Sequence, residues 1–123
     1  MVGVDSLDPY YDVGLKEARL ALLTPRPGFA MVRGDLAAPE TLEDIVARHP
    51  GITGIVHLAA QAGVRYSLEN PRAYVRANIS GHLEVLEAAR RLPGLTRMVY
   101  ASTSSVYGAN AKRPYAVTDP VEQ

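Results

Sequence analysis

The sequence predicts an α/β protein, a parallel β-sheet with helices on its faces, and three observations carry that expectation. Short apolar runs alternate with longer stretches in which apolar residues recur at helical spacing, in the order β-α-β-α-β-α-β. The run at 52–58 is β-branched and apolar almost throughout, as in a strand covered on both faces of a parallel sheet. Polar or glycine-rich clusters follow directly on the strands, and in such sheets ligands sit beyond the carboxyl ends. With 123 residues, 47% of them hydrophobic and 21% charged, the chain can bury one core and does not have the composition of a disordered tail.

Val2, Gly3 and Val4 run into Asp5 and make the first strand. Turn formers fill 6–12, and Val13, Leu15, Ala18, Leu20, Leu22 and Leu23 then fall near helical spacing with Lys16, Glu17 and Arg19 between them. Pro25, Pro27 and Gly28 stop that helix, and residues 29–32 form a second strand that runs into Gly34, Asp35 and Leu36. A second helix begins at Pro39 and Glu40, where proline suits the first turn, and carries Leu42, Ile45 and Val46. The third strand, 52–58, opens into small residues from Ala59 to Gly63. One long helical pattern covers 71–92, with Tyr74, Val75, Ile79, Leu83, Val85, Leu86 and Ala89 as its apolar set. The fourth strand, 97–101, runs into Ser102, Thr103, Ser104 and Ser105.

Thirteen Lys and Arg balance thirteen Asp and Glu, so no electrostatic footprint points to nucleic acid or an anionic membrane as partner. The chain has no cysteine, which removes disulfides, thiolate metal sites and cysteine nucleophiles. No apolar run approaches the roughly eighteen residues of a membrane span, and the first residues lack the pattern of a signal peptide. A cytoplasmic setting is expected. His49, His57 and His82 share no ligand spacing, so no metal is assigned, and His57 reads as a core imidazole.

Four places directly follow strands: Asp5, Asp35, the 58–63 segment and the hydroxyl run 102–105. Val2 to Asp5 with Asp8, Tyr10, Tyr11 and Asp12, then Gly34-Asp35-Leu36, then His57 to Ser67, then Ser102 to Gly108, in this order and spacing, resemble the extended short-chain dehydrogenase/reductase family, the NAD-dependent nucleotide-sugar epimerases and dehydratases. Within it the pieces are most similar to UDP-glucuronate 4-epimerases. The resemblance implies a Rossmann-like sheet of strand order 3-2-1-4-5-6, of which this chain supplies strands 2 to 5. Residues 1–123 are then a partial NAD-binding domain with no substrate domain. They lack the family's Gly-x-x-Gly-x-x-Gly turn and its Tyr-x-x-x-Lys helix, and the first and third strands lack their common neighbour.

The resemblance also assigns roles. Asp5 would accept the adenosine ribose hydroxyls, favouring NAD over NADP; the alternative is an N-cap of the next helix. Asp35 and Leu36 would recognise adenine, the first at the ring edge and the second on its face, whereas an acid in a turn after a strand is also common structurally. Leu58, Ala59 and Ala60 would let backbone approach the cofactor, or equally serve tight strand–helix packing. Gln61, Arg65 and Ser67 would border the sugar, with a solvated loop arginine as the plainer account of Arg65. Asn78 would anchor the strand ends near the nicotinamide. Thr103 occupies the position of the catalytic Ser or Thr, Ser102 would face the nicotinamide, and Ser104 and Ser105 the sugar; all four are also ordinary turn formers. A nucleotide sugar is the expected substrate and a homodimer the expected parent assembly. The rival readings are a 4,6-dehydratase, whose relatives carry acids where this chain has Ser104 and Ser105, and a noncatalytic binding module.

Overall fold

The computed structural model describes residues 1–109 and 113–121. Four short strands, β1 (Val2–Asp5), β2 (Ala30–Arg33), β3 (Gly54–His57) and β4 (Arg97–Tyr100), alternate with helices as the sequence predicts. Helix α1 spans Val13–Leu23 and α2 spans Pro39–Arg48. The strands pair in parallel but as two separate two-stranded sheets. In one, Val2 lies opposite Ala30 and Asp5 opposite Arg33; in the other, Gly54 lies opposite Arg97 and His57 opposite Tyr100. β1 and β3 share no hydrogen bond.

The long helical pattern after β3 divides. A short helix α3 (Val64–Glu69) precedes it, so Arg65 and Ser67 lie on a helix and not in the loop expected for them. Pro71 and Asn70 then start a new turn, with the Asn70 side chain accepting from Ala73 N–H to cap α4 (Pro71–Tyr74). A π-helical segment, Val75–Ser80, follows, and α5 runs over Gly81–Arg91. The Gly81 N–H reaches back five residues to the Arg76 carbonyl, the bond that defines a π turn.

The core sits where α2 meets α5. Ile45 from α2, Val85 and Ala88 from α5, and Leu92 just beyond it are the buried hydrophobic residues among those described. Each large aliphatic buried this way contributes about 1.5–3 kcal/mol, so this seam supplies the main hydrophobic tie between the two sheets. An Arg91–Glu43 ion pair at 2.8 Å spans the exposed edge of the same seam. Gly34, at the exit of β2, has to be glycine because a Cβ there would come within 2.6 Å of Thr41 Cγ2 at the start of α2.

The third strand departs from the expected cover on both faces. The third strand is covered on one face only: His57 is buried with its ring stacked 5.1 Å from His82 of α5, whereas Val56 and Val99, facing the other way, stay 70% and 50% exposed. The crossover joining β3 to β4 covers the face that carries His57 and Tyr100, whose ring also meets His82. Alternation along a strand sends Val56 and Val99 to the opposite side.

Burial, with the neighbouring His82 adding to it, pushes the His57 imidazole below its ordinary 6.5. On acidification the unfolded chain therefore takes up this proton before the folded one does. The His57 contribution is complete above the unfolded value and is lost as pH falls from there toward the folded value. The thermal midpoint is expected to fall as pH drops below about 7, and His57→Leu to flatten that slope. Scanning calorimetry across this window checks it; an unchanged slope in the variant would assign the loss to other groups.

Candidate functional site

Beyond the carboxyl ends of β1, β2 and β3 lies a cleft of about 420 Å³, within the size range of small-ligand sites. Six of the residues singled out from sequence line it: Asp5, Asp35, Leu36, Ala59, Ala60 and Gln61. They come from three different strand exits, which places the first two on one sheet's side and the alanines on the other's.

Asp5 closes β1 and accepts the Leu7 N–H on Oδ1 at 2.6 Å, and Lys16 Nζ of α1 lies 3.4 Å from the same oxygen. Lys16 also donates to the Asp8 carbonyl at 3.2 Å, folding the 6–12 loop over the start of α1. The helix cap considered for Asp5 belongs instead to Asp12, whose Oδ1 accepts from Gly14 and Leu15 N–H at 2.7 and 3.3 Å. Asp5 itself lines the cleft.

Asp35 sits in the turn after β2. Burial would raise its carboxyl, but the Ala37 N–H at 2.9 Å and the Arg76 Nε at 2.7 Å, with the guanidinium charge, outweigh that and hold it below the usual 3.8. Leu36 is half-buried beside it and forms the apolar part of the wall.

Across the cleft, Ala59 and Ala60 are exposed and bare of bulk. Gln61 is held through its backbone: its N–H donates to Asn78 Oδ1 at 2.7 Å and its carbonyl accepts from Asn78 Nδ2 at 3.0 Å. The Asn78 amide thereby imitates a strand partner for the β3 exit. An aromatic group joins the walls, with Tyr10 from the loop after β1 packed 4.7 Å from Tyr66 on α3 and 4.8 Å from Tyr11. The Tyr74 hydroxyl donates to the Gly63 carbonyl. Gly63 has φ +98°, and a side chain there would meet the Tyr10 hydroxyl, so both backbone and space demand glycine.

Several expected residues are not gathered here. Leu58 is 69% exposed and stands apart from the cleft lining. Arg65 is exposed on α3, and Ser67 Oγ donates to the Val64 carbonyl at 2.6 Å. Ser102, Thr103, Ser104 and Ser105 are all exposed after β4. Thr103 caps the 3₁₀ turn Ser104–Tyr107, accepting the Ser105 N–H at 3.2 Å and donating to Ser105 Oγ at 3.3 Å. Lys16, Arg76, Tyr10 and Tyr11 also line the cleft, beyond the residues that the sequence patterns single out. Lys16 could have been found from the acids at 5 and 8 within one loop of it; Arg76 depends on the π segment and left no signal.

Parallel strands with a polar cleft at their carboxyl ends define a Rossmann-type α/β protein, and solved structures agree. A UDP-glucuronic acid 4-epimerase mutant from Bacillus cereus, in complex with NAD and a fluorinated UDP-glucuronic acid, superimposes with a TM-score of 0.82 at 28% identity, over 98% of this chain and 37% of that one. A dTDP-glucose 4,6-dehydratase double mutant from Streptomyces venezuelae with NAD bound gives 0.77 at 27% identity, over 98% of this chain and 35% of that one. The chain belongs to the GDP-mannose 4,6 dehydratase family, whose model matches residues 13–123. It is 48% identical over its whole length to a probable UDP-glucuronate 4-epimerase of Rhizobium meliloti, covering 36% of that protein. It is 45% identical to UDP-glucuronate 4-epimerase 1 of Arabidopsis thaliana, covering all of this chain and 28% of that protein. The chain thus spans about a third of the length of the curated relatives it matches.

Removing the Asn78 amide should release the β3 exit. Asn78→Ala is expected to cost about 1–2 kcal/mol in urea unfolding and to speed amide exchange at Gln61 while leaving the Ala37 amide protected. Hydrogen exchange followed by NMR reads both; an unaltered Gln61 rate would mean that the pairing carries no stability.

Proposed function

We propose that this chain is the cofactor-binding part of an NAD-dependent nucleotide-sugar 4-epimerase acting on UDP-glucuronate. The observation that carries the reading is the 45–48% identity to UDP-glucuronate 4-epimerases across all of residues 1–123. The chemistry of the cleft fits an adenosine group: Asp5 for the ribose diol, the Asp35 carboxylate for the exocyclic amine, and Leu36 for the ring face. Leu58, Ala59 and Ala60 leave the β3 exit open to the rest of the cofactor, and Asn78 keeps that exit in place through Gln61. NAD, when bound, supplies the hydride acceptor and donor. Thr103 hydrogen-bonds the reacting sugar hydroxyl, Ser102 borders the nicotinamide, and Gln61, Arg65, Ser67, Ser104 and Ser105 form the sugar side. A sequence without cysteine fits the cytoplasmic setting that belongs to this reading.

Dehydration is the second reading, favoured by the family model's own description and by the dTDP-glucose 4,6-dehydratase likeness. Ser104 and Ser105, hydroxyls where the resemblance to dehydratases calls for acids, support epimerisation. In an active protein that contains this chain, UDP-glucuronate should be converted to its C4 epimer without loss of water, as chromatography with mass detection would show. In that protein Thr103→Val should lower kcat by about 10²-fold with little change in KM, and Ser105→Ala should do much less. Because Thr103 also caps the Ser104–Tyr107 turn, stability should drop by about 1 kcal/mol; a stability loss alone, with turnover per folded molecule intact, would refute the catalytic role.

Self-association is part of the same reading. Val75, Ile79, Leu83 and Leu86 are 52%, 64%, 52% and 41% exposed and succeed one another along the π segment and α5. Such an apolar stripe favours a matching surface on a second copy. Sedimentation should show a dimer that Leu83→Glu dissociates; a monomer at all concentrations, or a dimer indifferent to the substitution, would reject this surface.

A further inference from the structure

The Asp35–Arg76 contact joins residues 41 positions apart, one on the loop after β2 and the other on the π segment after β3. It crosses between two sheets that share no strand pairing. We propose that Arg76 is a positioning residue for base recognition, fixing the Asp35 carboxylate so that the cleft prefers adenine to hypoxanthine. The inference rests on the reading of the cleft as an adenosine site.

Oδ1 of Asp35 is held from its own turn by the Ala37 N–H at 2.9 Å, and a single donor leaves a carboxylate free to swing about its Cβ–Cγ bond. The Arg76 Nε, at 2.7 Å from Oδ2, supplies a second donor from a different element and removes that freedom before any ligand arrives. Each oxygen keeps a further lone pair, and an ionised carboxylate offers only acceptors. The amine at C6 of adenine can donate to it, whereas the carbonyl at C6 of hypoxanthine meets acceptor against acceptor. The guanidinium also keeps the group ionised, opposing the effect of burial. Arg76 lines the cleft and its side chain is 62% exposed, so its removal should leave the fold intact.

The opposite outcome has its own chemistry. If the terminal nitrogens of Arg76, rather than Asp35, face the base, they would donate to the carbonyl of hypoxanthine, and removing Arg76 would raise the preference for adenine.

The test titrates ADP and IDP against residues 1–123 by NMR, at millimolar nucleotide, following the Leu36 and Ala37 amides in the wild type, Arg76→Gln and Arg76→Lys. The wild type should favour ADP by about tenfold. Arg76→Gln should reduce that ratio to about twofold with IDP affinity little changed, and Arg76→Lys, which keeps the charge but not the planar fork, should fall between them. The Asp35 carboxyl should titrate at higher pH in Arg76→Gln, which a purely structural tie between sheets does not require. A ratio in Arg76→Gln equal to or above the wild-type value would overturn the proposal while leaving the adenosine reading intact. Equal shifts with ADP and IDP in the wild type would also overturn the proposal, and none with either would overturn the adenosine reading and the proposal with it.

Discussion

The seam between α2 and α5 is the interaction on which everything else depends. β1 with β2 and β3 with β4 are each held by backbone hydrogen bonds, but no ladder runs from one pair to the other. Ile45, Val85, Ala88 and Leu92 therefore do for this chain what a continuous sheet does for most α/β proteins. Because α2 leads out of the Asp35 turn and α5 continues the segment that carries Arg76 and Asn78, the same seam sets the width of the cleft. Stability and site geometry are one quantity here: a change that loosens the seam separates Asp5 and Asp35 from Ala59 and Gln61.

Three smaller contacts refine what the seam sets roughly. Arg76 reaches Asp35, Asn78 pairs with Gln61, and Tyr10 packs on Tyr66. Two of them start from the π segment, whose wider turn is a common device near functional sites. Within the cleft three acids, Asp5, Asp8 and Asp35, face two cations, with Lys16 against Asp5 and Arg76 against Asp35. A ligand entering it finds donors and acceptors already fixed by these pairs, so selectivity rests on hydrogen-bond complementarity.

Much of this was legible in the sequence because periodicity and punctuation are local. The four strands, the proline start of α2 and the acids after β1 and β2 follow from residue patterns alone, and no strand boundary moved by more than two residues. What escaped depends on non-local facts. Helix α3 is six residues long, too short for a periodic signal, and begins after a glycine held open by a distant tyrosine. The π segment lies inside an apolar pattern that an α-helix would also satisfy. The β-branched run at 52–58 records a strand whose residues suit burial, but not which neighbours supply it, and so Val56 lies open. The hydroxyls at 102–105 show the converse: a turn role and a chemical role ask for the same residues, and Thr103 already performs the first.

The separation of the two sheets has a consequence for how the chain meets other chains. The accessible surface is 9010 Å², against about 6,500 Å² for a compact monomer of this mass. β1 and β3 each present one edge with no partner among the described strands, and such edges recruit foreign strands into growing ladders. Here each edge is four residues long, which limits the hydrogen bonds an intruding strand can form and leaves its grip weak. Brevity of the strands thus acts as a brake on fibre growth in a molecule whose unpaired edges would otherwise invite it.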